Sequence, residues 1–303
     1  MPADRGSKKK FKPYSEYLSI EDGPPDHPWS SPAISFKETL DGPILNYSNL
    51  ELNKEYYVTV KIDNLGQRAA PHVWVKFYSR APSVAEWDSY MPIGDPVVVE
   101  SIQAFSSQTF ISSQPWSPSE HGSSILRCIL VNCYNLFDRI PQGNEFNYKE
   151  DRHVTQRNVS LLEAAPGESI QFRLKAGISK RKNKEVSKRY IVIRQDRVDS
   201  TLLSPLSQSK DRRRSLVPSK RPFESIMASM RHVEPGKNIQ AIFKPGVIEN
   251  VDITLTVPKD AEKGEAWVFT ITQEKDKHPS KSSKIPNTDL EHIDGGYTIL
   301  VSV

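Results

Sequence analysis

The feature that most constrains this chain is a two-residue hydrophobic period that restarts after every short turn. Positions 56–65 read YYVTVKIDNL, with Val58, Val60 and Ile62 alternating against Tyr57, Thr59, Lys61 and Asp63. A half-buried strand shows that period, whereas a surface helix repeats its apolar positions every ~3.6 residues. Positions 72–79, HVWVKFYS, place Val73, Val75 and Phe77 on one face and Trp74, Lys76 and Tyr78 on the other. PVVVESIQAF (96–105) and SQTFIS (107–112) follow, and 158–162 closes the series. SILRCILVN (124–132) is apolar on both faces, as a central strand is. No helical period separates these runs, so the first half reads as an antiparallel β-sandwich.

The second half repeats the pattern. ESIQFRL (168–174), YIVIR (190–194), NIQAIF (238–243), VDITLTV (251–257), AWVFTIT (266–272) and YTILVSV (297–303) are its strands. A chain of 303 residues suits two domains of about 100–200 residues each. The turn Ala164-Ala165-Pro166-Gly167 marks the boundary. The expected division is an N-terminal arm at 1–30, a first sandwich at 31–164 and a second at 165–303. Asn64-Leu65-Gly66 is a hairpin signal in which Gly66 supplies a positive φ. Trp29, beside Pro28 and Pro32, packs the arm onto the first sandwich, and Trp74, Trp116 and Trp267 read as core or edge aromatics.

The segment 173–221 stands apart. It carries sixteen Lys and Arg against four acids, although the whole chain has a net charge of only +4. The rest of the chain is therefore net acidic. Positions 200–222, STLLSPLSQSKDRRRSLVPSKRP, show no strand pattern, and we expect a long basic loop inserted in the second sandwich at about 176–225. Tyr190 is the only aromatic within 173–221, which argues against a nucleic-acid groove, since such grooves stack bases on aromatics. A plainly solvated loop is the first expectation; as a partner, an acidic protein surface comes next and nucleic acid after it.

The two cysteines, Cys128 and Cys133, share one strand. Five residues of strand span roughly 16 Å at about 3.3 Å per residue, far beyond the ~4.4–6.8 Å that a disulfide tolerates. They are expected to be reduced core thiols. The opening MPADRGSKKKFKP is basic but precedes no apolar stretch, so no signal peptide is expected. No apolar run reaches the ~18 residues that a membrane helix needs, and no membrane insertion is expected. The location that follows is cytoplasmic, or a particle assembled inside the cell, reaching the exterior only by lysis or a non-classical route.

Four pieces of the chain carry a resemblance. They are Trp29-Ser-Ser-Pro-Ala-Ile-Ser-Phe36; VTVKIDNLGQRAAPHVWVKFY at 58–78; Trp116-Ser-Pro with His121-Gly-Ser-Ser-Ile-Leu-Arg127; and Gly295-Gly-Tyr-Thr298. In this order they resemble the tandem immunoglobulin-like modules of the CARDB type, related to bacterial cell adhesion. Ala33 stands where that pattern has Asp, and Ser123 where it has Cys. The resemblance implies an all-β chain of two immunoglobulin-like antiparallel sandwiches in tandem, and an interaction module rather than an enzyme.

The chemistry-bearing residues agree with that reading. His27, His72, His121, His153, His232, His278 and His292 are scattered without zinc-ligand spacing. His121 near Ser123 and Ser124 lacks both a G-x-S-x-G turn and an orienting acid. Asp276, Asp289 and Asp294 lie in C-terminal loops but not at EF-hand spacing. No cofactor is expected. The function expected is a structural or adaptor protein in a larger assembly, such as a filament, a phage-tail-like or injection-type particle, or a scaffold. It contacts other subunits or copies of itself, and the alternative is a carbohydrate- or cell-surface-binding adhesion module. Candidate contact residues are Arg181, Lys182, Lys188, Arg189, Arg212, Arg213 and Arg214 in the basic segment. Trp87 and Tyr90 join them in the loop SVAEWDSYMP.

Overall fold

The computed structural model describes residues 15–23, 28–45, 50–51, 54–84, 90–118, 128–143, 145–149, 151–178, 185–196, 217–275 and 292–303. No α-helix occurs among them. They form two units, one of residues up to 157 without 81–84, the other of 81–84 and residues from 158 onward.

In the first unit β3 (Tyr57–Asn64) is the middle of one sheet. It pairs with β7 (Ser106–Ile111) on one edge, and with β2 (Ile34–Lys37) and β1 (Leu18–Ile20) in succession on the other. The second sheet centres on β4 (Ala70–Arg80) and β8 (Cys128–Tyr134). β5 (Met91–Pro92) and β6 (Val97–Ile102) flank β4, and β9 (Val154–Arg157) flanks β8. All these pairs are antiparallel. This division of strands between two sheets is that of an immunoglobulin-like sandwich. The core draws on both sheets: Val58, Val60 and Ile62 from β3 join Val73, Val75 and Phe77 from β4 and Ile129, Val131 and Cys133 from β8. The alternating residues of the sequence are the ones that face each other.

The beginning of the described chain corrects the expected arm. Residues 18–20 are a strand of the sandwich, with Leu18 and Ile20 buried, and Trp29 is fully buried. A three-residue strand is too short to display a period. It is held by partners far away in sequence, since Asp138 accepts the Leu18 N–H at 2.7 Å and the Arg152 carbonyl accepts the Ile20 N–H at 2.9 Å. Gly66 is a second correction. It is not among the glycines with positive φ. Its role is close approach, because a Cβ there would lie 2.1 Å from the Ser15 carbonyl oxygen and 2.6 Å from the Tyr17 nitrogen. Buried Asn64 organises the same turn, accepting the Gly66 and Tyr17 N–H groups and donating to the carbonyls of Arg68, Ile102 and Gln103.

The second unit pairs a four-stranded sheet with a larger one. The four-stranded sheet runs β11 (Ser169–Gly177), β17 (Ile248–Thr256), β14 (Ser225–Met230) and β15 (Val233–Gly236). The other runs β10 (Val159–Glu163), β19 (Ile293–Ser302), β18 (Glu265–Lys275), β12 (Ser187–Asp196) and β16 (Asn238–Phe243), with the short β13 (Val217–Pro218) beside β18. Phe172, Leu174, Ile253 and Leu255 on one sheet, and Ile191, Ile193, Phe269, Ile271 and Ile299 on the other, are all buried.

Three boundaries differ from expectation. Positions 158–162 do not close the first sandwich, because β10 pairs in parallel with β19 of the second. The Asn158 side chain donates to the Gly296 carbonyl, and its own carbonyl accepts the Thr298 N–H. The expected basic loop at about 176–225 is interrupted by β12, whose middle the pattern YIVIR marks as a strand and which is hydrogen-bonded on both edges, to β16 and β18. β13, β14 and β15 were not anticipated, since SIMASM lacks a clean period and the other two are very short.

Candidate binding face of the first sandwich

Period two sends Trp74, Lys76, Tyr78 and Arg80 of β4 to the side opposite the core. Antiparallel register sets them beside Tyr134, Asn132, Leu130 and Cys128 of β8. Leu130 in turn faces Gln156 of β9. On the outer face of a sandwich such a row is expected to be polar, yet here three of the eight side chains, Trp74, Tyr78 and Tyr134, are aromatic. Trp74 and Tyr134 are half-buried and stack with centroids 5.9 Å apart and planes 14° apart. The Lys76 ammonium lies 5.3 Å from the Tyr134 centroid. Burial lowers the Lys76 pKa, but the phenol oxygens of Tyr134 and Tyr78 outweigh it and the net shift is upward, so the cation is retained.

Further along, Phe146 meets Tyr78 edge-on at 5.2 Å and stacks on Tyr90 at 4.5 Å. Buried Arg80 lies beneath, its guanidinium carbon 4.9 Å from the Tyr90 centroid. The Gln156 Oε1 accepts from both Arg80 and the Tyr90 hydroxyl at 3.3 Å. Tyr90 is therefore half-buried in an intramolecular cluster that closes one end of the face. Trp74, Lys76 and Tyr134 form the more open end. Trp74 sits within a regular strand and was read as core or edge. The signal that brings it to the face is cross-strand pairing with Tyr134, which no local pattern reveals.

The other candidates are dispersed. Trp87, Arg181, Lys182, Arg212, Arg213 and Arg214 lie outside the described residues. Lys188 is exposed on β12, 5.5 Å from the Tyr190 ring centroid. Arg189 is 5% exposed and pairs with Asp294, which also accepts from Gln273 and lies 3.9 Å from Lys275. It points inward on the same strand face as Ile191 and Ile193, so it is no surface contact. Arg194 pairs with Glu274, Arg173 with Asp252, and Arg221 with Asp260, Glu262 and Glu265. Much of the described basic segment is thus discharged within the fold by acids distant in sequence.

A buried charged cluster also escaped sequence reading. Asp138 accepts from Arg152 at 2.6 Å, and the His153 ring lies 2.6 Å from Asp151 and 3.2 Å from Asp138. Arg152 also covers the Tyr17 ring at 4.0 Å. Burial lowers the His153 pKa, but the two carboxylates outweigh it and the net shift is upward. Cys133 lies nearby, so thiol, imidazole and carboxylate types are present together. They do not form a nucleophile and base. Burial holds the Cys133 thiol well above its usual range, and the ring nitrogens of His153 are engaged by Asp151, Asp138 and Arg152. Both cysteines are buried and unlinked. His121, Ser123 and Ser124 lie outside the described residues, as do Asp276 and Asp289. Among the described residues no group of three or more His, Cys, Asp or Glu is placed to hold a metal ion.

No protein-family model matches the chain, and no curated protein matches it either. Solved structures similar to it include three at low identity. The CARDB domain of a Pyrococcus furiosus protein, crystallised with di-metal ions, is 14% identical with a TM-score of 0.29, covering 50% of this chain and 96% of that one. The calcium-binding domains CBD12 of CALX1.2 are 9% identical with a TM-score of 0.20, covering 82% and 93%. The adhesin CfaE of enterotoxigenic E. coli is 9% identical with a TM-score of 0.23, covering 96% and 88%. Likeness at this level carries no argument about chemistry. The fold class rests on the strand pairing: the chain is all-β, built of immunoglobulin-like antiparallel sandwiches.

Proposed function

We propose that this chain is a non-catalytic structural or adaptor protein whose first sandwich docks a protein neighbour, either another subunit or a second copy. The observation that carries this reading is the half-open aromatic and cationic row Trp74, Tyr134 and Lys76 on the outer face of β4 and β8. Aromatic side chains beside a desolvated cation are the anchor type in protein interfaces, where a few such residues supply most of the binding energy. The row lies on regular strands, so its geometry is fixed before any partner arrives. The test is native mass or sedimentation of the untagged protein, alone and with its neighbours, for the wild type and for Trp74→Ser. An anchor of this kind contributes ~2 kcal/mol or more, so the variant should lose association by more than tenfold. Its own unfolding should change little beyond the lost ring pair, worth about 0.5–1.5 kcal/mol. Association unaffected by both Trp74→Ser and Tyr134→Ser would remove this face from the assembly.

One feature favours a second reading. The ring planes of Trp74 and Tyr134 are 14° apart and stacked, and a sugar ring laid on the outer side of this half-buried pair would extend the stack. In that case soluble oligosaccharides should quench or shift tryptophan emission in the wild type and not in Trp74→Ser, with no change in mass beyond the ligand.

A further inference from the structure

Three loops converge at one end of the first sandwich. They join β3 to β4 (residues 65–69), β6 to β7 (103–105), and leave β8 (from 135). Register brings them together: Asn64 pairs with Ser106, Ala70 with Ile102, and Trp74 with Tyr134. Each hydrophobic tip is exposed rather than folded back. Phe105 is 70% exposed, Phe137 69% and Leu136 57%.

These tips are built, not frayed. Phe105 has a φ of 53°, a left-handed conformation that a bulky side chain adopts only under constraint, and its N–H is tied to the Gly66 carbonyl. Buried Asn135 accepts the N–H groups of Phe137 and Asp138, which fixes Leu136 and Phe137 at the crest of a turn. The exposed charges on these loops are cationic, while Glu16, whose backbone borders Gly66, is half-buried. Arg68 and Arg139 are exposed, with Arg139 donating to the Leu136 carbonyl. Within 65–69, 103–105 and 135–143 the only acid is Asp138, which is buried and engaged by Arg152 and the Leu18 N–H. One step behind the tips stand Trp74 and Tyr134, half-buried and adjacent to Asn135.

We propose that this end docks onto an anionic lipid bilayer. Phe105, Leu136 and Phe137 would enter the acyl boundary, Trp74 and Tyr134 would sit at headgroup level, and Arg68 and Arg139 would pair with headgroup phosphates. Apolar tips flanked by cations, with amphipathic aromatics behind them, are the residue types that a membrane interface with anionic headgroups attracts. The apolar tips sit on two loops, Phe105 on one and Leu136 with Phe137 on the other, so they suit a soft surface better than a folded partner offering separate pockets in register. The expectation of no membrane insertion followed from the lack of a long apolar run, and side chains on loop tips need none. No helix among the described residues is long and apolar enough to cross a membrane, so contact of this kind is peripheral.

The experiment is co-sedimentation with vesicles of phosphatidylcholine alone and of phosphatidylcholine with one-quarter phosphatidylglycerol, at low and physiological salt. The wild type should bind the anionic vesicles and not the neutral ones. Phe137→Ser should weaken binding about tenfold. Phe105→Gly should do the same while its thermal midpoint holds or rises, because glycine relieves the positive φ and the strain goes with the anchor. Arg68→Ser with Arg139→Ser should weaken binding and flatten its salt dependence. No binding to anionic vesicles overturns the proposal. So does binding that ignores both phenylalanine variants, which would be charge alone. So does equal competition by a soluble acidic polypeptide, which would point to a protein partner. Self-association measured without lipid is a separate readout, so failure here leaves the assembly reading standing.

Discussion

His153 sits where two buried carboxylates and a guanidinium meet, and its protonation is coupled to folding. Asp138 and Asp151 face the ring from either side, Arg152 lies against it with Tyr17 beyond, and the Cys133 thiol is close by. The carboxylates raise the imidazole pKa in the folded state above its unfolded value of about 6.5. A raised pKa means that the native state binds the proton more tightly than the unfolded chain does. Its stabilisation is full below about 6.5 and is lost as pH rises through the higher folded value. Urea midpoints of the first sandwich should therefore fall as pH is raised from about 6 through the range above, and His153→Gln should remove that slope. Asp138→Ala strips Arg152 of its buried partner and Leu18 of its acceptor, and should cost about 3–5 kcal/mol with loss of amide protection in β1. The thiols give a third expectation. Cys128 and Cys133 should resist a thiol reagent in the folded protein, and both should label, without reductant, once the chain is denatured. Mass analysis of the labelled protein distinguishes two free thiols from none.

At the level of elements, the turn after β3 shows how sequence and structure part company. Glycine at position 66 was legible as a turn signal but its reason was not, since the backbone it admits, Ser15 to Tyr17, is an unpatterned stretch far away in sequence. Gly66→Ala should push that segment off Asn64 and cost about 1–3 kcal/mol, by overpacking rather than by dihedral strain. Hydrogen exchange should then show β1 deprotected while β3 and β4 hold. The same contrast runs through the molecule. Long strands with one buried face, such as β4 and β17, were readable because burial enforces a period of two. β1, β13 and β15 were not, because short strands are specified by partners rather than by pattern. β10 was readable as a strand but assigned to the wrong sandwich, since pairing partner is a non-local property. The binding face failed for the same reason. Trp74 and Tyr134 meet only through the β4–β8 register, and Asp138 meets Leu18 only through the closure of the sandwich.

At the level of the whole chain, charge counted along the sequence and charge carried on the fold are different quantities. The segment 173–221 is strongly cationic by count, yet Arg173, Arg189, Arg194 and Arg221 are matched by Asp252, Asp294, Glu274 and the Asp260, Glu262 and Glu265 group. These acids come from β17, β18, β19 and the turn before β18, so the sandwich itself neutralises them. By count, the other twelve Lys and Arg of the segment lie outside these pairs, Lys175, Lys188, Lys220, Arg181, Lys182 and Arg212 to Arg214 among them. Two substitutions separate the roles. Replacing Arg212, Arg213 and Arg214 together by Ser removes charge and no apolar side chain. The unfolding midpoint should hold within what surface changes give, about 0.5 kcal/mol, while association with an acidic neighbour slows. Because exposed charges are screened over about 8 Å at physiological salt, wild-type association should slow as salt rises, and the triple variant should be nearly indifferent to it. Arg221→Ser should show the opposite balance. It releases Asp260, Glu262 and Glu265 together, so stability should fall by about 0.2–1 kcal/mol for each pair at this half-exposed site, with little effect on association. Stopped-flow association across a salt series, run beside thermal unfolding of the same two variants, measures both. An association rate unchanged by salt and by the triple substitution would leave docking to the aromatic face of β4 and β8.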